Sequence, residues 1–62
     1  MQLVAVAGDS DRFLFVDVYR SVLSTKWMSG PMTEEQVREV LEERYSPEQI
    51  DGIISWARRH PA

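Results

Sequence analysis

Residues 12–23 hold the densest apolar content of this 62-residue chain, and they limit what the rest of it can fold into. Read as a β-strand, the segment is apolar on both faces, because successive side chains point to opposite sides of a strand. One face carries Leu14, Val16, Val18 and Val22, and the other carries Phe13, Phe15, Tyr19 and Leu23. So short a chain is expected to cover only one of these faces with its own helices, which leaves the other for a partner.

The composition also points to oligomerisation as the means by which so short a chain is stabilised. Ordering a chain costs roughly 1.5 kcal/mol per residue, and small domains usually offset this with disulfides, metals or partners. The sequence has no cysteine and a single histidine, so we expect no disulfide, metal site or cofactor. We therefore predict a homodimer formed through the face of Phe13, Phe15, Tyr19 and Leu23.

The acidic charge is concentrated in one part of the chain. The net charge is −3, and residues 33–57 contain seven acidic side chains against two arginines. This balance argues against general nucleic-acid binding, which depends on a basic surface. The uncharged run at residues 1–8 is too short to span a membrane and lacks the basic start of a secretory signal. With no cysteine present, we expect a cytoplasmic protein without membrane contact.

The N-terminal half predicts a β-hairpin. Residues 1–7 are mostly small or β-branched, and residues 8–11 form a turn cluster ahead of the strand at residues 12–23. A helix over residues 11–24 competes with that strand, because the apolar spacing also fits a helical period. The β-branched and aromatic content favours the strand. A short third strand at residues 26–28 is left open.

Two capping boxes predict two helices in the C-terminal half. Thr33 and Gln36 have the spacing of the first box, with a helix running to about Tyr45. Ser46 and Gln49 form the second, with proline in its favoured first helical position and a helix over residues 47–59. The one-residue joint at Ser46 predicts a sharp corner between the helices.

These elements define one α+β domain over residues 1–62. Its β-rich half covers residues 1–32, and its helical corner covers residues 33–60. We expect an antiparallel hairpin with both short helices packed on one face.

The first candidate binding surface is an acidic face on the first helix, formed by Glu35, Glu39, Glu42 and Glu43. Its ordinary interpretation is a solvated face, since charge runs are usually in contact with water. The functional interpretation is a docking surface for a basic partner, or a mimic of nucleic-acid phosphates.

The second candidate is Trp56 beside Gly52, which lies one helical turn earlier. A partly exposed tryptophan next to a residue without a side chain makes a favourable contact point. The ordinary alternative is that Trp56 packs on the strands or on Trp27. His60 is expected to interact with the negative end of the second helix rather than to act as a ligand or base.

The sequence therefore predicts a non-enzymatic protein-interaction module or inhibitor. The alternative is a nucleic-acid regulator that uses the two helices as a helix-turn-helix with Arg58 and Arg59 on phosphates. Glu48 and Asp51 argue against it, because they place acids at the leading end of the recognition helix. A small enzyme is a third possibility, but too few polar residues converge to support it.

Overall fold

The computed structural model describes residues 2–19, 21–23 and 30–61. In chain order these form β1 (Gln2–Val6), β2 (Asp9–Val16), α1 (Glu34–Leu41) and α2 (Pro47–Arg59). The two strands make an antiparallel hairpin, and both helices pack against it. This confirms the predicted α+β class.

A two-residue loop at residues 7–8 joins the strands, so the four-residue turn predicted at 8–11 is wrong. Gly8 has a φ of +83°, a backbone conformation that glycine adopts without steric cost and that tight hairpin loops require. Val6 consequently pairs with Asp9, after a register shift in the ladder. The polar residues assigned to the turn therefore belong to the start of β2.

β2 ends at Val16, so the prediction of one strand over residues 12–23 is wrong in its second half. The competing helix over residues 11–24 is wrong as well, because its first part is paired with β1. Propensity identified the type of element here but not its end.

Asp17 accounts for the end of the strand. Its Oδ1 accepts hydrogen bonds from the main-chain N–H groups of Tyr19 (2.8 Å) and Ser21 (2.9 Å). An aspartate bonded in this way to N–H groups that follow it stabilises a turn. The chain reverses there, and Val22 forms a bridge back to Val16.

The outer edge of β2 is covered at a second point. Met32 and Phe13 exchange a pair of main-chain hydrogen bonds of 2.8 and 2.9 Å. The possible third strand at residues 26–28 lies outside the described residues.

The core lies between the helices and one face of the hairpin. Its buried residues are Leu3, Ala5, Phe13, Phe15, Met32, Val37, Leu41, Ile50, Ile54 and Ala57. On the opposite face of the hairpin, Val4 and Val16 are also buried, at 0% and 2% exposure, and Leu14 is half-buried. The expectation that one chain covers only one face is therefore wrong.

Both predicted capping boxes form. The Thr33 hydroxyl accepts from the Gln36 N–H, while the Gln36 side chain accepts from the Thr33 N–H. Ser46 and Gln49 repeat the arrangement at the start of α2, with distances of 3.3 and 2.9 Å. The bounds of α2 match the prediction, because its start and end signals are local.

α1 ends at Leu41, whereas the sequence predicted an end near Tyr45. The N–H groups of Arg44 and Tyr45 both donate to the Leu41 carbonyl at 3.0 Å, which closes the helix in a turn. Ser46 is extended because a residue before proline is disfavoured in a helix. The helices are thus joined by residues 42–46 and not by a single residue.

Candidate binding groove

An open apolar groove of about 560 Å³ lies between the hairpin and the corner formed by the two helices. Its volume falls within the range of ligand-binding pockets. It is lined by Gln2, Leu3, Phe15, Leu41, Tyr45, Gln49, Gly52, Ile53 and Trp56.

Gly52 and Trp56, which the sequence singled out together, both line this groove. Their separation of four positions places them on the same side of α2. A Cβ built on Gly52 would meet no atom within 4 Å, so the space beside it is open. The helix therefore exposes its backbone at this point of the groove.

Trp56 is half-buried and forms one wall of the groove. The His60 ring stacks on its indole, with ring centroids 3.9 Å apart and an angle of 9° between the planes. His60 Nδ1 lies 2.8 Å from the Trp56 carbonyl oxygen, in the last turn of the helix. This pair of contacts holds the indole in place. Trp27, the other expected neighbour of Trp56, lies outside the described residues.

Only three of the four glutamates of the predicted acidic face, Glu35, Glu39 and Glu42, have helical backbone. Glu35 and Glu39 are exposed on α1, whereas Glu42 caps its C-terminus and Glu43 lies in the following turn. The early end of α1 is the reason for this difference. Glu42 directly follows Leu41, which lines the groove.

Four charged side chains form an ion cluster that joins the helices: Glu34 and Arg38 of α1, and Asp51 and Arg58 of α2. Arg38 bonds Glu34 at 3.1 Å and Asp51 at 2.7 Å, which links α1 to α2. Arg58 bonds Glu34 at 2.6 Å, and its guanidinium lies 5.6 Å from the centre of the Phe13 ring. Arg58 is thus engaged with its own chain.

These contacts shift two ionisation equilibria. Hydrogen bonds from Arg38, and to a smaller extent from Arg58, favour the carboxylate of Glu34. They lower the pKa of Glu34 below its ordinary value. Hydrogen bonds to Asp51, and to a smaller extent to Glu34, raise the pKa of Arg38. Both shifts favour the charged forms of Glu34 and Arg38.

The residues predicted for the dimer interface do not form one surface. Phe13 and Phe15 are buried in the core, at 0% and 2% exposure. Leu23 packs against the core, and Tyr19 is 85% exposed in the turn. The predicted dimer interface is therefore wrong, because the helices cover the side of β2 that carries both phenylalanines. Phe15 lines the groove instead of a dimer interface.

The contributions of Gln2, Leu3 and Tyr45 to the groove were not predicted from the sequence. Their positions depend on how the hairpin and helix corner meet, which no local pattern encodes. The contact between Arg58 and Glu34, which are 24 positions apart, was not predicted either.

No family model, curated protein sequence or solved structure matches this chain. Within residues 2–19, 21–23 and 30–61, no three side chains are grouped in a way that could hold a metal ion. No helix in that part of the chain is long and apolar enough to cross a membrane.

Proposed function

We propose that this protein is a non-enzymatic interaction module of the cytoplasm that binds an apolar side chain of a partner protein in the groove. The groove combines an aromatic wall, a backbone gap at Gly52 and a wide opening. Interfaces commonly place an anchor side chain of one protein into such a pocket of the other. The cytoplasmic location is supported by the absence of cysteine.

The observation that carries this proposal is the presence of Gly52 inside α2. Glycine in a helix interior destabilises the protein by about 0.5–1 kcal/mol relative to alanine. The fold does not need a glycine here, since its φ is not positive and a Cβ would clash with nothing. A residue that weakens the helix and keeps the groove open is consistent with a role in binding.

The helix-turn-helix alternative has less support. Arg58 is bonded to Glu34, so its charge is partly neutralised within the chain. Glu48 lies in the first turn of α2 and would face DNA phosphates at the leading end of the helix.

Gly52→Ala tests the proposal through two measurements on one variant. We expect its free energy of unfolding to rise by about 0.5–1 kcal/mol, because alanine is the better helix former. Chemical denaturation measures this change. Binding of the partner should fall, because the new methyl group narrows the groove.

Affinity capture from the source cells then compares wild type with Gly52→Leu and Trp56→Ala. Ser55→Leu is the matched control, since Ser55 is an exposed position of the same helix that does not line the groove. A protein captured by wild type and Ser55→Leu, but by neither groove variant, supports the proposal. Equal capture by all four proteins, or no capture, contradicts it.

A further inference from the structure

The side chains that line the groove bring polar groups but no charge. Among the described lining residues, none is aspartate, glutamate, lysine, arginine or histidine. The polar members are Gln2, Tyr45, Gln49 and Trp56. Moving a charged side chain from water into a site without an opposite charge costs free energy. The lining therefore complements an uncharged occupant.

The capping box of α2 determines which end of the Gln49 side chain is free. The amide oxygen of Gln49 accepts from the Ser46 N–H at 2.9 Å, since a main-chain N–H can bond only the oxygen of an amide. The amide nitrogen carries two N–H donors, and it forms no hydrogen bond within the described chain. Gln49 is exposed and lines the groove. Its side chain therefore offers donors to an occupant, while its oxygen is held by the helix cap.

Trp56 supplies a second free donor. Its indole Nε1–H can donate but not accept, and it makes no hydrogen bond within the described chain. Trp56 is half-buried, and no buried side-chain nitrogen of the described residues lacks a partner, so Nε1 is accessible to solvent. Gln2 and Tyr45 can both donate and accept. The polar groups of the groove thus have an excess of donors, in a lining that is otherwise aromatic and aliphatic.

A proline-rich segment complements such a lining better than an ordinary extended segment does. Proline has a carbonyl acceptor but no main-chain N–H, so it needs no acceptor from the groove. Any other residue brings an N–H group, whose loss of water costs free energy unless the group is paired. Proline-rich segments also form the polyproline II helix before binding, with their carbonyl groups unpaired. Several classes of protein domain bind these segments in aromatic-lined grooves.

We infer that the occupant of the groove is an uncharged, proline-rich segment of a partner protein in the polyproline II conformation. A proline ring of the segment enters the space beside Gly52 and packs on the indole of Trp56. Carbonyl groups of the segment accept from Gln49 Nε2 and Trp56 Nε1. The inference rests on the proposed function, because it names the class of segment that the groove binds.

A displayed library of linear nine-residue peptides tests the inference on the full chain. Wild-type protein should enrich peptides with more proline than the starting library. These peptides should be retained by Ser55→Leu, the control outside the groove, and lost by Gly52→Leu. Gly52-sensitive peptides without extra proline would retain the proposed function and overturn the inference. Failure to enrich any peptide sensitive to Gly52→Leu would contradict both.

Gln49→Glu then tests the assigned donor on one enriched peptide. Glutamate keeps an oxygen for the Ser46 N–H and also forms capping boxes, but its carboxylate has no N–H to donate. The affinity for the peptide should fall about fivefold, as for the loss of one hydrogen bond.

Gln36→Glu is the matched control, because it makes the same change in the capping box of α1 and Gln36 does not line the groove. It should bind the peptide as wild type does, and thermal melts should show that both glutamate variants keep their fold. Equal affinities of the two variants for the peptide would overturn the inference and leave the proposed function in place.

Discussion

Val16 and Val18 are two positions apart, yet the structure gives them opposite environments. Val16 is 2% exposed, whereas Val18 is 84% exposed. A continuous strand would place both on one face. The turn at Asp17 separates them, because its carboxylate is bonded to the main chain that follows.

Aspartate substitutions at the two valines should therefore differ strongly. Val16→Asp buries a carboxylate without a partner and should cost several kcal/mol, enough to unfold a domain of this size. Val18→Asp should change stability by no more than about 0.5 kcal/mol, as expected for an exposed position. Thermal melts followed by circular dichroism measure both variants. Similar melting temperatures for the two would contradict the observed end of β2.

Glu34 is the residue through which the pH dependence of stability can be tested. Its pKa is lowered in the fold by Arg38 and Arg58, so the unfolded chain binds a proton there more readily. Its contribution is complete above the ordinary value of 4.5 and is lost as the pH falls through the lower folded-state value. The side chain is 36% exposed, so the stabilisation should be below about 1 kcal/mol.

Glu34→Gln should therefore lower the melting temperature at pH 7, and the difference from wild type should shrink below pH 4.5. Melts across this range measure the effect. Glu35→Gln, at the exposed neighbouring position, is the control and should remain close to wild type throughout. A difference for Glu34→Gln that stays constant with pH would argue against the ion cluster.

At the scale of elements, the start of α2 is fixed by its capping box. The Ser46 hydroxyl accepts a hydrogen bond from the Gln49 N–H. Both residues are exposed, so apolar burial does not stabilise this contact. Such a cap satisfies a helix N–H group that otherwise has no partner within the helix.

Ser46→Ala should lower the free energy of unfolding by about 1 kcal/mol, within the usual range of 0.5–2. Ser55→Ala changes the same residue type inside the same helix and should be neutral or slightly stabilising, because alanine has the higher helix propensity. Urea denaturation of both variants provides the comparison. Equal effects would mean that the serine hydroxyl at the cap contributes nothing specific.

At the scale of the whole molecule, the structure removes the reason for which a homodimer was predicted. The predicted dimer depended on an apolar strand face left uncovered by the chain. Phe13 and Phe15 on one face of the hairpin, and Val4 and Val16 on the other, are all buried within a single chain. The burial that dimerisation was expected to supply is already present in the monomer.

We therefore expect sedimentation equilibrium at micromolar concentration to give the monomer mass of 7.2 kDa, with cooperative unfolding. Twice that mass would support the homodimer, formed through a surface other than the one predicted. In that case, the effect of Gly52→Leu on dimerisation would show whether the second copy occupies the groove.

The sequence by itself determined the features that depend on neighbours a few positions apart. Both capping boxes, the bounds of α2 and the shared side of Gly52 and Trp56 follow from interactions over three or four residues. The α+β class followed from the change of apolar pattern between the two halves of the chain.

Only the tertiary structure decided which side of β2 the helices cover and how the groove is assembled. The groove joins Leu3 to Trp56, and the ion cluster joins Glu34 to Arg58, over separations that no periodicity reports. An apolar strand with two similar faces carries no local signal for its inner side. That choice is made by the packing of all elements at once, because burial depends on total contact and not on neighbours in sequence.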